Sequence, residues 1–310
     1  MTHPLKDLYQ SVTNQIIAAL EAGTQPWVCP WQAGAGDLAP ANLASGRPYR
    51  GINVLLLNLR AISCGYGVNR WMTFQQACSL GAAVRKGEHG TPIVFFKMHE
   101  FGTGDAQVAP ATYPSKGEDR KVIPLLRSFT VFNAAQIDGL PEALQPAPQA
   151  APDWNACDTA ELILNASQAQ IRHGGSRAFY APSLDVIQLP ERSAFANATD
   201  YYGTALHELT HWTGHPDRCN RVLTSRVHIE AYAFEELVAE MGSAFLANYC
   251  GLPGQLQHAS YIDSWLQALR SDKRLIFTAA SQAQKAADYL LPELPTTQAL
   301  ATAQGLEVAA

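Results

Sequence analysis

The chain has 310 residues, 47% of them hydrophobic and 16% charged, with a net charge of −5 at neutral pH. That length and apolar content bury one or two full cores, which excludes disorder as the dominant state. Gly, Pro and charged residues interrupt every apolar run well short of the roughly 18–20 residues a membrane-spanning helix needs, and the first residues lack the pattern of a signal peptide, so a cytoplasmic protein without membrane contact is expected.

Leu5, Leu8, Val12, Ile16 and Leu20 recur at three- and four-residue steps, one face of an amphipathic helix that Gly23 and Pro26 end. Residues 53–62 read as a second, mostly apolar helix and 73–80 as a third, with Thr73 as its N-cap. The aromatic and β-branched runs 92–97 and 127–132 read as strands, and the Gly-, Ser- and Pro-rich stretch 102–120 between them as a long exposed loop. After Leu140, four prolines (Pro141, Pro146, Pro148, Pro152) alternate with Ala and Gln, a composition that holds neither helix nor central strand. Beyond it, residues 158–168 read as helix, 178–180 and 185–189 as short strands, the latter at a sheet edge. Four helices follow at 201–213, 231–249, 260–269 and 281–289. The pattern predicts an α+β fold of two domains: a small α+β unit over 1–140 and a mainly helical unit over 154–291. A linker at 141–153 joins them, and a weakly apolar tail covers 292–310.

The six cysteines (Cys29, Cys64, Cys78, Cys157, Cys219, Cys250) form no Cys-x-x-Cys pair, so they are expected to be reduced and mostly packed. Charge divides unevenly: residues 1–140 carry a net +3 and the remainder a net −8. Between Asn42 and Lys97 seven basic residues face a single acid, Glu88, a bias that suits a polyanion.

The sharpest chemical signal is His207-Glu208-Leu209-Thr210-His211. Two histidines four apart on a helix put both imidazoles on one face, able to share a tetrahedral ion, and Glu208 sits where it can act as general base toward a metal-activated water. Asp200 or Thr199 is the expected N-cap. A catalytic zinc takes a third protein ligand and keeps one position open. The preferred third ligand is Glu236 from the later helix, with Glu240 one turn on as a carboxylate that accepts a hydrogen bond from a ligating histidine. Glu235 is a fallback, and a second geometry uses Asp217, six residues after His211, with His215 nearby. Tyr232 or His228 is the candidate donor to a developing oxyanion. Zn2+ is the expected ion, with Mn2+ or Co2+ as alternatives.

In the positive half, the segments around Arg47-Pro48-Tyr49-Arg50, Asn69-Arg70-Trp71 and Arg85-Lys86-Gly87 combine cations, aromatics and glycines. Lys and Arg neutralise phosphates, and Tyr49 or Trp71 offers a base a ring to stack on. The competing reading is that Trp27, Trp31 and Trp71 are core and the cations an ordinary solvated face.

These residues carry a resemblance. Pro26-Trp27, Tyr49-Arg50-Gly51-Ile52-Asn53, Arg70 to Phe74, Gly81 to Lys86 and Phe129 to Gln136 resemble the N-terminal single-stranded-DNA-binding domain of ArdC-type antirestriction proteins, a domain also found in some plasmid primases. The second half, with its His207–His211 motif, Trp212-Thr213-Gly214 and Tyr232 to Glu240, is similar to the zincin-type metallopeptidase domain of the same proteins, related to SprT/Spartan proteases. The resemblance implies a plasmid-encoded protein that binds single-stranded DNA, with double-stranded DNA as a further partner. It would protect incoming conjugative DNA from host restriction and carry a zinc-dependent peptidase acting on proteins bound to that DNA. It implies His207, His211 and Glu236 as metal ligands and Glu208 as base. The nucleic-acid-binding candidates are Arg47, Tyr49, Arg50, Asn53, Arg70, Trp71, Arg85, Lys86 and Lys97. The alternative is a non-enzymatic protein that occludes DNA and whose metal site is structural or vestigial.

Overall fold

The computed structural model describes residues 7–27, 39–101, 121–144, 156–223, 229–252 and 261–291. The stretches 102–120 and 292–310, most of 141–153, Trp31 and His228 lie outside the described residues, as does the Lys97 side chain.

The first half opens with helix α1 (Leu8–Glu21), N-capped by Asp7, whose carboxylate accepts from the Gln10 N–H. A two-residue strand β1 (Ala41–Asn42) leads to α2 (Ile52–Cys64), which Gly51 starts with φ +56° and Gly65 closes in the left-handed region. Strand β2 (Arg70–Met72) precedes α3 (Phe74–Ser79), whose cap is Thr73 in a reciprocal capping box with Gln76, as the sequence leads one to expect. Strands β3 (Ala83–Val84), β4 (Thr91–Phe101), β5 (Lys121–Asn133) and β6 (Ile137–Asp138) complete the half. Four of these strands form one sheet in the order β1-β2-β5-β4, with β4 and β5 a long antiparallel ribbon, and β3 pairs with β6 apart from it.

The second half runs α4 (Ala156–Ala166), β7 (Gln170–His173), β8 (Phe179–Ala181), β9 (Val186–Leu189), α5 (Ala198–Trp212), α6 (Ile229–Cys250), α7 (Ile262–Ser271) and α8 (Leu275–Leu290). Its sheet has the order β7-β9-β8, so β9 is central and β7 and β8 are its edges. This corrects the edge placement of residues 185–189: the polar run Gln170–His173, which carries little strand signal, supplies a parallel partner on the far side. The cap of α5 is Asn197, whose side-chain oxygen accepts from the Asp200 N–H, in place of Thr199 or Asp200. Helix α8 begins six residues earlier than its polar-to-apolar pattern indicates, because Ile276 and Phe277 are buried by neighbours distant in sequence.

The two halves share a core. Val12, Ile16, Leu20 and Trp27 of the first half join Leu206, Leu237, Trp265 and Ile276 of the second in one apolar cluster. Trp27 meets Trp265 edge-on at 5.9 Å between ring centroids, Tyr9 meets Phe277 at 4.8 Å, and Thr13 donates to the Lys273 carbonyl. Asp7 pairs with Lys273 and Glu21 with Arg270 along the same seam. Among the four cysteines whose side chains are described, Cys250 is buried and Cys219 half-buried, while Cys64 and Cys78 are exposed, contrary to the expectation of mostly packed thiols. Among the described residues, no helix is long and apolar enough to cross a membrane.

Helices α5 and α6 cross so closely that Gly242 has no room for a side chain. A Cβ there would lie 2.5 Å from Cγ2 and 3.1 Å from Oγ1 of Thr210, and Thr210 is fixed by its own bond to the Leu206 carbonyl. Gly242→Ala is therefore expected to push the helices apart and cost about 1–3 kcal/mol in urea unfolding. An unchanged midpoint would show that this crossing yields freely.

Candidate metal centre

The close crossing of α5 and α6 is what assembles the site. On α5, His207 and His211 stand one turn apart with their rings edge-on at 4.8 Å. Their Nε2 atoms are 3.2 Å from each other. From α6, one oxygen of Glu236 lies 3.5 Å from the His207 Nε2 and the other 3.7 Å from the His211 Nε2. Ligand atoms held about 2.0–2.2 Å from a tetrahedral ion sit about 3.3–3.6 Å apart. The three side chains each offer a donor atom, all within 4.8 Å of one another, so that small side-chain rotations let them converge on one ion, and no other group of three His, Cys, Asp or Glu among the described residues does so.

The remote nitrogens face carboxylates. Nδ1 of His211 donates to Oε1 of Glu235 at 3.1 Å, and Nδ1 of His207 faces Oε1 of Glu240 at 3.9 Å. Glu240 thus stands one turn on and beside His207, where the sequence places it, but at 3.9 Å it is beyond hydrogen-bond distance. Glu235 takes the orienting place at the other histidine instead of serving as a ligand, because both its oxygens bind the guanidinium of Arg221, at 2.8 and 3.0 Å. Arg221 is itself locked by the Thr213 hydroxyl and the Thr210 carbonyl, at 2.8 and 2.6 Å. Nothing in the local sequence marks Arg221. It sits in the turn after α5 and is identified only by the fold.

Charge explains why a cation belongs here. Glu208, Glu235, Glu236 and Glu240 are all buried, against a single buried guanidinium, Arg221, among the described residues. Such an imbalance in low dielectric is costly unless a cation offsets it. Burial works against ionisation of Glu236, yet His207 and His211 outweigh it and hold the carboxyl well below the usual range. Burial likewise opposes a charge on His211, and the Glu235 and Glu236 carboxylates override it, pushing the imidazole up to about 10. The donor set, two imidazoles and one carboxylate, suits a divalent metal ion.

Glu208 lines a cavity of about 600 Å3 with the three candidate ligands and Tyr232, while Arg177, Phe179, Tyr180 and Ser183 from β8 and its flanks form the opposite wall. Asp217 is 87% exposed and faces His215 within the turn, away from the three-residue cluster. A cation stack reinforces that turn: the Arg218 guanidinium lies 3.7 Å over the Trp212 ring and bonds Asp185 at the start of β9.

The cationic candidates of the first half divide. Arg47, Tyr49, Arg50 and Asn53 line one groove of about 980 Å3 on the sheet side. Asn53 is buried, its amide bonding both backbone groups of Val94 on edge strand β4, so it braces the groove. Trp71 is fully buried against Leu57, Ile93 and Val131, with its indole N–H on Asn69, and Trp27 is fully buried too; for these rings the core reading holds. Arg70 is half-buried, its guanidinium on the Ala39 carbonyl. Arg85 pairs with Glu88 and Asp138 apart from the groove, beside Lys86. Two exposed rings in the groove, Phe95 and Phe129, went unread as site residues because they stand in runs whose alternation signals only a strand.

Fold and site together define a protein of two domains, the second of zincin-like metallopeptidase type. The model for zincin-like metallopeptidases matches residues 158–282, and that for the N-terminal domain of anti-restriction factor ArdC matches residues 6–132. Crystal structures of antirestriction ArdC protein from plasmid R388 superpose with TM-scores of 0.75 (metal-free) and 0.74 (Mn(II)-bound). The metal-free chain is 43% identical over 92% of this chain and 96% of that one; the Mn(II)-bound chain is 42% identical over 94% and 100%. The chain belongs to the ArdC-type antirestriction family. Uncharacterized protein y4eC of Sinorhizobium fredii is 41% identical, with 92% of this chain and 91% of that protein covered. A DNA primase TraC of Escherichia coli is 43% identical over 98% of this chain, and the chain spans only 30% of that protein's length.

Proposed function

We propose that this protein binds single-stranded DNA, protects incoming conjugative DNA from host restriction, and carries a Zn2+-dependent peptidase that acts on proteins bound to that DNA. The observation that carries the enzymatic part is the convergence of donor atoms of His207, His211 and Glu236 to within 4.8 Å of one another, beside Glu208 in a cavity. An ion held there supplies Lewis acidity and lowers the pKa of bound water. Glu208 then takes the proton from the attacking water and delivers it to the leaving amine. Tyr232, on the cavity wall, donates to the oxygen that gains charge. An extended peptide lies along edge strand β8, whose outer side pairs with no strand among the described residues, and this brings its backbone past Glu208. His211 keeps its ligating nitrogen aimed because Glu235 holds its other ring nitrogen, and the Glu240 carboxylate stands beside that of His207.

The DNA-binding part rests on Arg47, Tyr49 and Arg50 meeting in one groove, with the division of the chain near residues 141–153 separating the two activities in sequence. A direct assay incubates zinc-loaded protein with a lysine-rich histone coated on single-stranded DNA. Cleavage that requires both DNA and metal, and that a chelator stops, is the expected outcome. Intact histone under all conditions would remove the peptidase and leave protection by occlusion alone.

A further inference from the structure

The groove that holds Arg47, Tyr49 and Arg50 has a second wall, and that wall belongs to the other half of the chain. Phe277, Ser281, the adjacent Gln284 and Lys285, and Asp288 recur about one helical turn apart on one face of α8 and line it. Gln284 accepts from the Gly51 N–H at 3.0 Å and donates to Asp288 at 3.1 Å, and Asp288 pairs with Arg50. The helix that closes the metallopeptidase domain is thus tied to the first turn of α2 in the DNA-binding one.

On the floor, β4 and β5 run antiparallel with Phe95 opposite Arg127 and Ile93 opposite Phe129. This register places Phe95 and Phe129 diagonally on one face, where their rings meet edge-on at 5.5 Å. Toward β2 the same face is covered: Ile93 and Val131 are buried in the small core with Leu57 and Trp71. The two phenylalanines emerge from that cover and stay 46% and 49% exposed. A pair of large rings left in water, in a groove that four cations (Arg47, Arg50, Arg127, Lys285) line against one acid (Asp288), matches one kind of partner. Rings accept unpaired bases and the cations accept phosphates. A duplex keeps its bases stacked inside and has nothing to place on Phe95 and Phe129.

The geometry points to a single-strand DNA track that runs between the β4–β5 ribbon and α8, with Phe95 and Phe129 as its stacking platform and the Arg50–Asp288 pair as a latch that phosphate displaces. It rests on the DNA-binding reading above and extends the site across both halves. α8 packs on α6, which carries Glu236, so the track and the metal centre lie on neighbouring, packed helices.

A fluorescence titration of the full-length protein with labelled single-stranded oligothymidylate tests this. Phe95→Ala and Phe129→Ala are exposed changes and should each weaken binding by roughly tenfold with little change in salt dependence. Lys285→Glu should weaken it several-fold and reduce the slope of log affinity against log salt by about 0.7, whereas Arg172→Glu, an exposed reversal outside the groove, should not alter the slope. Asp288→Asn should strengthen binding about two- to fivefold, the range set by releasing an exposed ion pair. Unaltered affinity in both phenylalanine variants and in Lys285→Glu, with the wild type binding normally, overturns the track while leaving DNA binding intact. Unaltered affinity in Asp288→Asn alone overturns the latch. Equal affinity for a duplex of the same length overturns the stacking platform. A wild type that does not bind the oligonucleotide sinks the DNA-binding reading itself, and the track with it.

Discussion

Replacing Glu208 with Gln is expected to lower DNA-dependent cleavage by about 10²- to 10⁴-fold, the range associated with loss of a general base, while metal affinity stays within a factor of a few. The two readouts separate because of where Glu208 sits. It shares the cavity with His207, His211 and Glu236, but it is not one of the three residues whose donor atoms converge. A glutamine keeps the shape and loses the ability to take a proton. Quantifying cleavage products and zinc affinity on the same preparations checks both. Full activity in Glu208→Gln would assign proton transfer to some other group, and loss of metal together with activity would make Glu208 a ligand.

The second large effect concerns Arg221. Its guanidinium is the buried counter-charge to Glu235, which in turn orients His211. Arg221→Met leaves a buried carboxylate with one partner fewer and is expected to destabilise the protein by about 3–5 kcal/mol in urea unfolding. Adding Glu235→Gln should recover part of the loss, because the uncompensated charge disappears with it. The double variant should still bind metal more weakly than the wild type, since the amide orients the His211 ring less firmly than a carboxylate; loss of such an outer partner typically costs 10- to 100-fold in affinity. A single variant that loses less than about 1 kcal/mol would mean that Glu235 does not depend on Arg221 for its charge.

The convergence of the candidate metal ligands was legible in the sequence for a physical reason. A helix fixes the relation between residues four apart, so His207 and His211 could be placed on one face without knowing anything else about the fold. Glu236 and Glu240 were readable to the extent that they lie on one later helix, again four apart. What could not be read was Arg221, whose meeting with Glu235 depends on the path of the turn after α5 and on Gly214, where a Cβ would come within 2.7 Å of Leu223 and 3.1 Å of the Arg221 guanidinium.

The cationic half shows the opposite limit. Composition located a basic stretch but could not tell which cations point outward together. Trp71 and Asn53 look like ligand-contacting residues by type, yet one fills a core and the other completes the hydrogen bonding of an edge strand. Lys285 and Asp288 fall more than 230 residues from Arg50 in a net-acidic half, and only the tertiary packing of α8 on α2 brings them beside it. Strand alternation predicted β4 and β5 but not that Leu57 and Trp71 cover Ile93 and Val131 on that face while Phe95 and Phe129 are left exposed.

The claim on which the account depends is that His207, His211 and Glu236 hold one divalent ion. Isothermal titration of Zn2+ into metal-stripped protein, paired with elemental analysis of the loaded form and with Glu236→Ala as the comparison, tests it directly. One zinc per chain in the wild type and a loss of at least a hundredfold in affinity in Glu236→Ala are the expected results. A wild type that binds no zinc, or a Glu236→Ala variant that binds it as tightly, would contradict the claim.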